Sequence, residues 1–223
     1  MAEIVCYYIS GSPPCWTVML ALEAKGLAYE ARRLDNGKGE QKGEAFLAVN
    51  PRGTVPVLVC DGLVVRETNS ILAFLDALKP DPSLFGAALP HTAAIWQTVE
   101  ETEARLRTPI GSVTRPIFRG RATEMRDQID TAIVQVRDVL DELEADLAGA
   151  SYLVGETLSA ADLAVYPAIM QLMRGATREG AEALDLKVEP LAEHYPGIAA
   201  WAGRVEAMPG YDQAYPPHWC KGA

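Results

Sequence analysis

One stretch near the N-terminus constrains the fold more than any other: an apolar run followed at once by a helix start built on serine and proline. Residues 4–9 are short, β-branched and aromatic, which predicts a buried strand. Residues 11–16, Gly-Ser-Pro-Pro-Cys-Trp, follow it. Ser12 stands at the N-cap position and Pro13 at the first helical position, where a missing N–H costs nothing. A serine hydroxyl is therefore expected at the positive end of a helix dipole, where an anion is stabilised. By themselves these six residues favour a plain helix start, so the anion site depends on the rest of the chain.

The first eighty residues alternate between strand and helix patterns. The first helix carries Cys15, Val18, Met19 and Leu22 at helical spacing and ends near Gly26. The chain then continues with a strand (27–34), a polar loop (35–43), a short helix (44–49), a turn (50–53), a hairpin (54–65) and a helix (67–78). The order strand-helix-strand-helix-strand-strand-helix predicts a mixed sheet with helices on both faces.

Two positions in this region are unusual for their predicted elements. Pro56 begins a strand although it cannot donate to a ladder, which implies an edge, a bulge or a cis bond. A cis Val55–Pro56 bond would turn the backbone of Val55 outward to pair with an extended peptide. An edge proline without a ligand is equally consistent. Glu67 places a carboxylate at a second helix start, and simple capping also explains it.

Composition narrows the function classes. The chain has 223 residues, a net charge of −10 and 49% hydrophobic residues, which suits a soluble protein with a substantial core. The negative charge argues against nucleic-acid or anionic-membrane binding through a global field. There is no signal peptide pattern and no apolar run of ~20 residues. The four cysteines lack a disulfide or zinc spacing: Cys6, Cys15, Cys60 and Cys220. These features predict a cytoplasmic, reduced protein without a metal.

Three motifs together resemble the cytosolic glutathione transferases. Residues 53–58 (Gly-Thr-Val-Pro-Val-Leu), followed by Asp-Gly at 61–62 and Glu67-Thr68, look like that family's glutathione-site signature. Thr68 replaces the usual serine and keeps the hydroxyl. Residues 11–16 resemble the serine-type classes, most closely the rho class, and the tail at 215–219 (Tyr-Pro-Pro-His-Trp) is also similar to that class. The resemblance covers nearly the whole chain and implies a thioredoxin-like domain followed by an all-helical domain.

The resemblance implies a role for Ser12 in catalysis. Its hydroxyl would donate a hydrogen bond to the glutathione sulfur and favour the thiolate. Glutathione would act as co-substrate, with no metal. Lowering a thiol pKa by about two units needs about 2.7 kcal/mol of preference for the anion, which is the scale of one charge-assisted hydrogen bond plus a helix N-terminus. Gln41 and Lys42 stand where the family often holds the glycyl end of glutathione.

The remaining matching positions would hold the peptide part of glutathione. Val55, before the cis Pro56, would pair through its backbone with the cysteinyl unit. Glu67 and Thr68 would hold the γ-glutamyl ammonium and carboxylate.

Cys15 allows two interpretations. Residues 12–15 occupy the Cys-Pro-x-Cys frame of glutaredoxin-like proteins, with Ser12 in place of the attacking cysteine. The sulfur that forms mixed disulfides is thus missing, which favours conjugation over thiol–disulfide exchange. Cys15 itself is expected to be a buried helix residue, and the alternative is an accessory thiol close to the sulfur site.

The second half of the chain predicts helices. We expect a thioredoxin-like domain over residues 1–79, a linker over 80–89 and an all-helical domain over 90–223 that includes an aromatic tail. Predicted helices cover 91–112, disturbed at 109–111, and 120–147, whose apolar stripe fits a bundle better than a dimer seam. Ser159 and Asp162 form a capping-box pattern, which the family also carries as a structural feature.

The combined prediction is a homodimeric, cytoplasmic glutathione transferase of the serine type. It would conjugate glutathione to small, largely hydrophobic electrophiles in detoxification, with the electrophile bound between the domains. Two rivals stay open. One is a glutathione-dependent reductase or dehalogenase that uses Cys15, and the other is a non-catalytic binding protein of the same fold.

Overall fold

The computed structural model of the chain describes residues 2–219. Cys220 and the last residues of the predicted helical domain lie outside this range. Residue contacts group the described chain into two compact units. One unit contains the residues up to Phe85 together with those from Met208 onward, and the other is Gly86–Ala207.

One mixed sheet forms the centre of the first unit. In the described part of the chain its four strands are β1 (Ile4–Tyr8), β2 (Glu30–Arg33), β3 (Val57–Cys60) and β4 (Leu63–Arg66). The spatial order is β2-β1-β3-β4, with β2 parallel to β1 and the other two pairs antiparallel. The turn at Asp61 and Gly62 joins β3 to β4, as its hairpin signal predicts.

Three helices complete the predicted order of elements in this unit. They are α1 (Pro13–Ala24), α2 (Glu44–Leu47) and α3 (Thr68–Leu78), with a 3₁₀ turn at Glu40–Lys42 before α2. The strand-helix-strand-helix-strand-strand-helix prediction is therefore confirmed. Helices α1 and α3 pack together, and their buried apolar side chains include Leu20, Leu22, Ile71 and Leu75.

A buried lysine fixes the chain where the first unit leaves α3. Lys25 is fully buried, and its ammonium group lies 2.5 Å from a carboxylate oxygen of Asp76. The same ammonium donates to the carbonyl of Lys79 at 2.7 Å and to the carbonyl of Pro82. The amide of Leu84 donates to Asp76 at 2.6 Å. A buried charge requires such partners, so this network holds the segment after α3 against the end of α1.

The second unit is helical. Its α-helices are α4 (Leu89–Thr102), α5 (Thr108–Phe118), α6 (Arg126–Asp146), α7 (Ala160–Ala176), α8 (Leu191–His194) and α9 (Pro196–Glu206). The chain then returns to the first unit with α10 (Tyr211–Ala214) and a 3₁₀ turn at Pro217–Trp219. Among residues 2–219, no helix is both long enough and apolar enough to span a lipid bilayer.

The predicted helix over 91–112 is wrong in its end and in the position of its irregularity. Helical structure continues to Phe118, and the irregular part is a π-helical turn at Glu103–Arg107, not residues 109–111. Pro109 cannot donate to the carbonyl four residues earlier, so the strain of its ring falls on the turn before it. The proline therefore displaces the irregularity toward the N-terminus.

The predicted helix over 120–147 begins later than expected. Gly120 has φ +66° and ends α5, and α6 starts only at Arg126. The apolar stripe of α6 is buried inside the second unit: Ile129, Ile133, Val136 and Leu140. Because α6 packs on α5 and α9 of the same chain, the bundle interpretation fits and the stripe is not an exposed coiled-coil seam.

The capping box at the start of α7 is confirmed and extends beyond the motif. The Asp162 carboxylate accepts from the amide and hydroxyl of Ser159, at 2.8 and 2.9 Å. It also accepts from the amide of Leu153 at 2.9 Å and from the indole N–H of Trp201 at 2.8 Å. Burial raises the pKa of the Asp162 carboxyl, and these hydrogen bonds oppose that rise. One buried carboxylate thus joins α7, α9 and the loop before α7.

The tail differs from the predicted domain division. The predicted helical domain covers all of 90–223, whereas the described residues from Met208 onward belong to the first unit. The physical reason is aromatic: the indole of Trp16 on α1 packs edge-on against Tyr215 and Trp219, with ring centroids 5.6 and 5.2 Å apart. The tail therefore packs in the first unit, which contains the sheet, although it follows the helical unit in the sequence.

Candidate functional site

The sheet topology brings four predicted site segments to the same end of the sheet. Strand β1 ends at Tyr8, just before the turn that carries Ser12, and Tyr8 pairs with Arg33 at the end of β2. Tyr7 pairs with Val57, the residue after Pro56, and Val57 pairs with Arg66, the residue before Glu67. We call this end of the sheet the site edge. It carries the turn with Ser12, the loop after β2, the Val55–Pro56 bond and Glu67.

Ser12 occupies the N-cap of α1, as predicted, but its side chain does not cap the helix. Within the described residues, its hydroxyl makes no hydrogen bond to a helix amide, while its carbonyl accepts from Trp16 N–H at 2.9 Å. An N-cap hydroxyl bonds the amide at the second or third helical position. Pro13 and Pro14 fill the first two positions, so only the amide of Cys15 remains. The two prolines leave a serine hydroxyl beside a helix N-terminus.

The tail lies against the turn that carries Ser12. The hydroxyl of Ser10 is 2.8 Å from Nδ1 of His218. Gly11 has φ +78°, and a Cβ there would stand 2.9 Å from both the His218 ring and the Trp219 indole nitrogen. Only glycine satisfies the backbone angle and leaves room for the tail.

A cavity of about 180 Å³ lies between this turn and the tail. Its walls combine aromatic rings, prolines and loop backbone: Tyr8, Ile9, Ser10, Gly11, Trp16, Met19 and residues 212–217. Burial raises the pKa of the Tyr8 phenol above its ordinary value. The cavity belongs to the first unit, and sequence reasoning did not place it because its two sides are about 200 residues apart.

The Val55–Pro56 bond is cis, as the family resemblance implies. It lies between the turn at residues 50–53 and β3. Buried Asn50 supports this turn, since its amide nitrogen donates to the Thr54 carbonyl at 2.8 Å. Val55 remains partly exposed, whereas Pro56 and Val57 beside it are buried.

Gln41 and Lys42 lie in the 3₁₀ turn against residues 50–53. The Lys42 ammonium donates to the Arg52 carbonyl at 3.1 Å, and a Cβ on Gly53 would be 2.7 Å from the Gln41 carbonyl oxygen. Gln41 donates through its amide nitrogen to Asn36 at 2.8 Å. Its buried amide oxygen has no hydrogen-bond donor among the described residues. A buried acceptor without a donor is a position that a ligand N–H or a water satisfies.

Glu67 precedes α3 in a conformation that non-glycine residues rarely adopt, with φ +67°. In the described part of the chain its side chain does not cap α3. Its carboxylate instead accepts from the Arg52 guanidinium at 2.7 Å, and both side chains are exposed. Thr68 begins the helix beside it. The sequence pattern marks Arg52 only as a turn residue, and nothing in it indicates a contact with Glu67.

Cys15 is 1% exposed, and its sulfur accepts from the amide of Ile9 at 3.5 Å. Cys6 is fully buried nearby, and burial raises the pKa of its thiol. Both side chains lie in the core of the first unit. In residues 2–219, no three His, Cys, Asp or Glu side chains are arranged to hold a metal ion.

Comparison with known proteins identifies the family. Residues 11–78 match the family model for the glutathione S-transferase N-terminal domain, and residues 126–204 match the model for the C-terminal domain. A glutathione S-transferase of Zea mays is 31% identical over 202 residues, which cover 89% of this chain and 85% of the maize protein. The chain belongs to the glutathione S-transferase family. The predicted family, fold and glutathione transferase activity are thereby confirmed.

Solved structures of glutathione transferases agree with this assignment. The enzyme from Pseudomonas fluorescens is 30% identical, with a TM-score of 0.75 over 92% of this chain and 96% of that one. A delta-class glutathione transferase from Nilaparvata lugens is 27% identical, with a TM-score of 0.75 over 96% and 93%. Coverage of this extent includes residues of both units.

Proposed function

We propose that this glutathione transferase is of the serine type and that Ser12 stabilises the thiolate of bound glutathione. The observation that carries the proposal is the hydroxyl of Ser12 at the N-cap of α1, where Pro13 and Pro14 remove two helix amides and the side chain makes no cap within the described residues. A hydroxyl held there can donate to an anion that the helix dipole also stabilises.

The free energy that this turn can supply matches what a lower thiol pKa requires. Lowering the glutathione thiol pKa by about two units takes about 2.7 kcal/mol. A charge-assisted hydrogen bond supplies about 1.5–3 kcal/mol, and a helix N-terminus adds about 0.3–1 kcal/mol. Once formed, the thiolate sulfur attacks the electrophilic carbon, a C–S bond forms, and a halide leaves or an epoxide or activated double bond opens.

Ultraviolet difference spectra of bound glutathione test the role of Ser12. We expect a thiolate band at neutral pH in the wild type and its loss in Ser12→Ala, with turnover reduced about ten- to a thousandfold. Tyr8→Phe is the matched control, because Tyr8 ends β1 just before the turn and its phenol lines the neighbouring cavity. A band that survives in Ser12→Ala and disappears in Tyr8→Phe would assign the role to Tyr8.

Burial argues against the alternative in which Cys15 is the nucleophile. Reactive cysteines are partly exposed thiolates in electropositive surroundings, whereas Cys15 is 1% exposed. We therefore expect Cys15→Ala to keep the thiolate band and conjugation rate.

The walls of the cavity favour flat aromatic electrophiles, such as aryl halides or aryl-substituted activated alkenes. Tyr8, Trp16 and Tyr215 supply ring faces and edges against which an aromatic ring packs. Replacing Tyr215 by Ala should raise KM for an aryl halide more than for a small aliphatic epoxide. Equal changes for both substrates would remove the cavity from the binding of the electrophile.

The same proposal includes the class of the transferase, its location and its oligomeric state. Residues 11–16 and the tail at 215–219 support a relation to the rho class. We propose a cytoplasmic homodimer that acts in detoxification, with the remaining domain boundaries as predicted. Large apolar side chains exposed on the single chain are candidates for the dimer contact: Leu63, Leu78, Leu89 and Val134. Light scattering of the purified protein tests the dimer directly.

A further inference from the structure

An exposed ion pair joins Arg52 to Glu67 at the site edge. Nη1 of Arg52 is 2.7 Å from Oε1 of Glu67, and the two side chains are 63% and 65% exposed. Exposed pairs of this kind contribute little to the free energy of folding. Both charged groups are nevertheless accessible to a ligand, and the pair lies beside the first turn of α3.

The backbone of Arg52 is held from both sides. Its amide donates to the side-chain oxygen of buried Asn50 at 3.2 Å, and its carbonyl accepts from the Lys42 ammonium at 3.1 Å. The same Asn50 also bonds the carbonyl of Thr54 at 2.8 Å. The guanidinium therefore extends from a fixed turn, which limits the positions it can reach.

The other member of the pair carries backbone strain. Glu67 has φ +67° and ψ 128° and is not a glycine. Residues in such conformations cluster at ligand sites, where the surrounding structure imposes the angle. The first helical hydrogen bond of α3, from Ile71 N–H to the Glu67 carbonyl at 2.9 Å, and the Arg52 contact hold Glu67 on either side.

We propose that Arg52 binds the α-carboxylate of the γ-glutamyl residue of glutathione while Glu67 binds its α-ammonium. The inference rests on the proposed glutathione site and adds a residue to it. An α-amino acid carries its cation and its anion on one carbon, so a receptor for it needs an anion and a cation side by side. The Arg52–Glu67 pair has this arrangement.

The chemistry of the guanidinium suits this role. Its planar fork pairs with a carboxylate through two parallel N–H donors, which an ammonium group cannot do. Thr68 and the first amides of α3 lie on the other side of Glu67 and supply further donors. Lys42, Arg52 and Glu67 together present two cations and one anion. Glutathione presents two carboxylates and one ammonium group, so the charges match one for one.

Binding of S-methylglutathione, measured by calorimetry, tests this inference without using the thiol. Two analogues isolate the two charges: one begins with a γ-aminobutanoyl group and lacks the α-carboxylate, and the other begins with a glutaryl group and lacks the α-ammonium. We expect the wild type to bind the first analogue about tenfold more weakly than the parent, the effect of 1.4 kcal/mol.

The Arg52→Gln variant should bind the parent about tenfold more weakly than the wild type does, while binding the γ-aminobutanoyl analogue unchanged. Arg52→Lys should retain part of the affinity because it keeps the charge without the fork. The matched control is Arg32→Gln, since Arg32 is also an exposed arginine paired with a carboxylate, Glu30, in the first unit. The control should leave all three affinities unchanged.

Equal weakening of all three ligands by Arg52→Gln would overturn the inference and leave Arg52 as a residue that only holds Glu67. No weakening would also overturn it. The outcome is separable from the role of Ser12, because Ser12→Ala should lose the thiolate band of glutathione and still bind S-methylglutathione. A wild type that binds none of the ligands would refute the glutathione site itself.

Discussion

The hydroxyl of Ser10 lies 2.8 Å from Nδ1 of His218, although 208 residues separate the two in the chain. This contact places the C-terminal tail on the turn that carries Ser12. Gly11 lies between Ser10 and Ser12 in this turn, and the tail leaves no room for a side chain on it. The geometry of the turn that carries Ser12 and the position of the tail are therefore coupled.

Replacing Gly11 by Ala should displace the tail. The new Cβ would have a strained backbone angle and would stand 2.9 Å from the rings of His218 and Trp219. Gly39→Ala is the matched control, since Gly39 has φ +70° and, among the described residues, no atom within 4 Å of such a Cβ. We expect Gly11→Ala to lose about 1–3 kcal/mol more unfolding free energy than the control and to change tryptophan fluorescence. Equal losses in the two variants would contradict the coupling.

Replacing Pro14 by Ala should weaken catalysis by restoring a helix amide. Pro14 is the second residue of α1, and an N–H there lies within reach of the Ser12 hydroxyl. If the hydroxyl caps the helix, it contributes less to the thiolate, so the pKa of bound glutathione should rise and turnover should fall by about tenfold.

Pro13→Ala is the control for this experiment. It restores the amide at the first helical position, which N-cap side chains do not bond. A pH titration of the thiolate band in both variants makes the comparison. If bound glutathione has the same thiol pKa in Pro14→Ala and in the wild type, the missing proline amide does not affect how the Ser12 hydroxyl stabilises the thiolate.

Replacing Asp162 by Ala should strongly destabilise the helical unit. The substitution leaves the buried donors of Ser159, Leu153 and Trp201 without their acceptor. We expect a loss of about 3–5 kcal/mol in urea unfolding. Asp130→Ala removes an exposed aspartate paired with Arg126 and should cost less than about 1 kcal/mol. Similar losses for both would mean that the buried network contributes little.

The protein should lose stability in alkaline solution partly through Tyr195. Burial, with the nearby Asp141 carboxylate, raises the pKa of Tyr195 from the ordinary 10 to about 12. Between these values the folded state keeps a proton that the unfolded state releases, so the unfolding free energy falls as pH rises from about 10 to about 12. Tyr195→Phe should flatten this decline relative to its own value at pH ~8. An unchanged slope would exclude Tyr195 as the cause.

The site was predictable where its residues belong to local patterns. Ser12 follows a strand and precedes prolines, and Glu67 follows a hairpin and precedes a helix, so both could be located from neighbours in the sequence. Arg52 could not be found in this way. Its partner is 15 residues away, and only the antiparallel pairing of β3 with β4 brings that carboxylate back to the turn.

The sequence alone determined the order of strands and helices, the Ser12 N-cap position, the hairpin and the capping box. Each depends on residues within one turn or one strand, where backbone preferences and hydrogen bonds act locally. Tertiary structure alone decided that the tail packs on Trp16, that His218 meets Ser10, that the irregular turn precedes Pro109 and that Arg52 pairs with Glu67. The tail, His218 and Arg52 contacts join segments distant in sequence, and the position of the irregular turn reflects how a long helix distributes strain. Their energy comes from packing and from paired charges that no local pattern encodes.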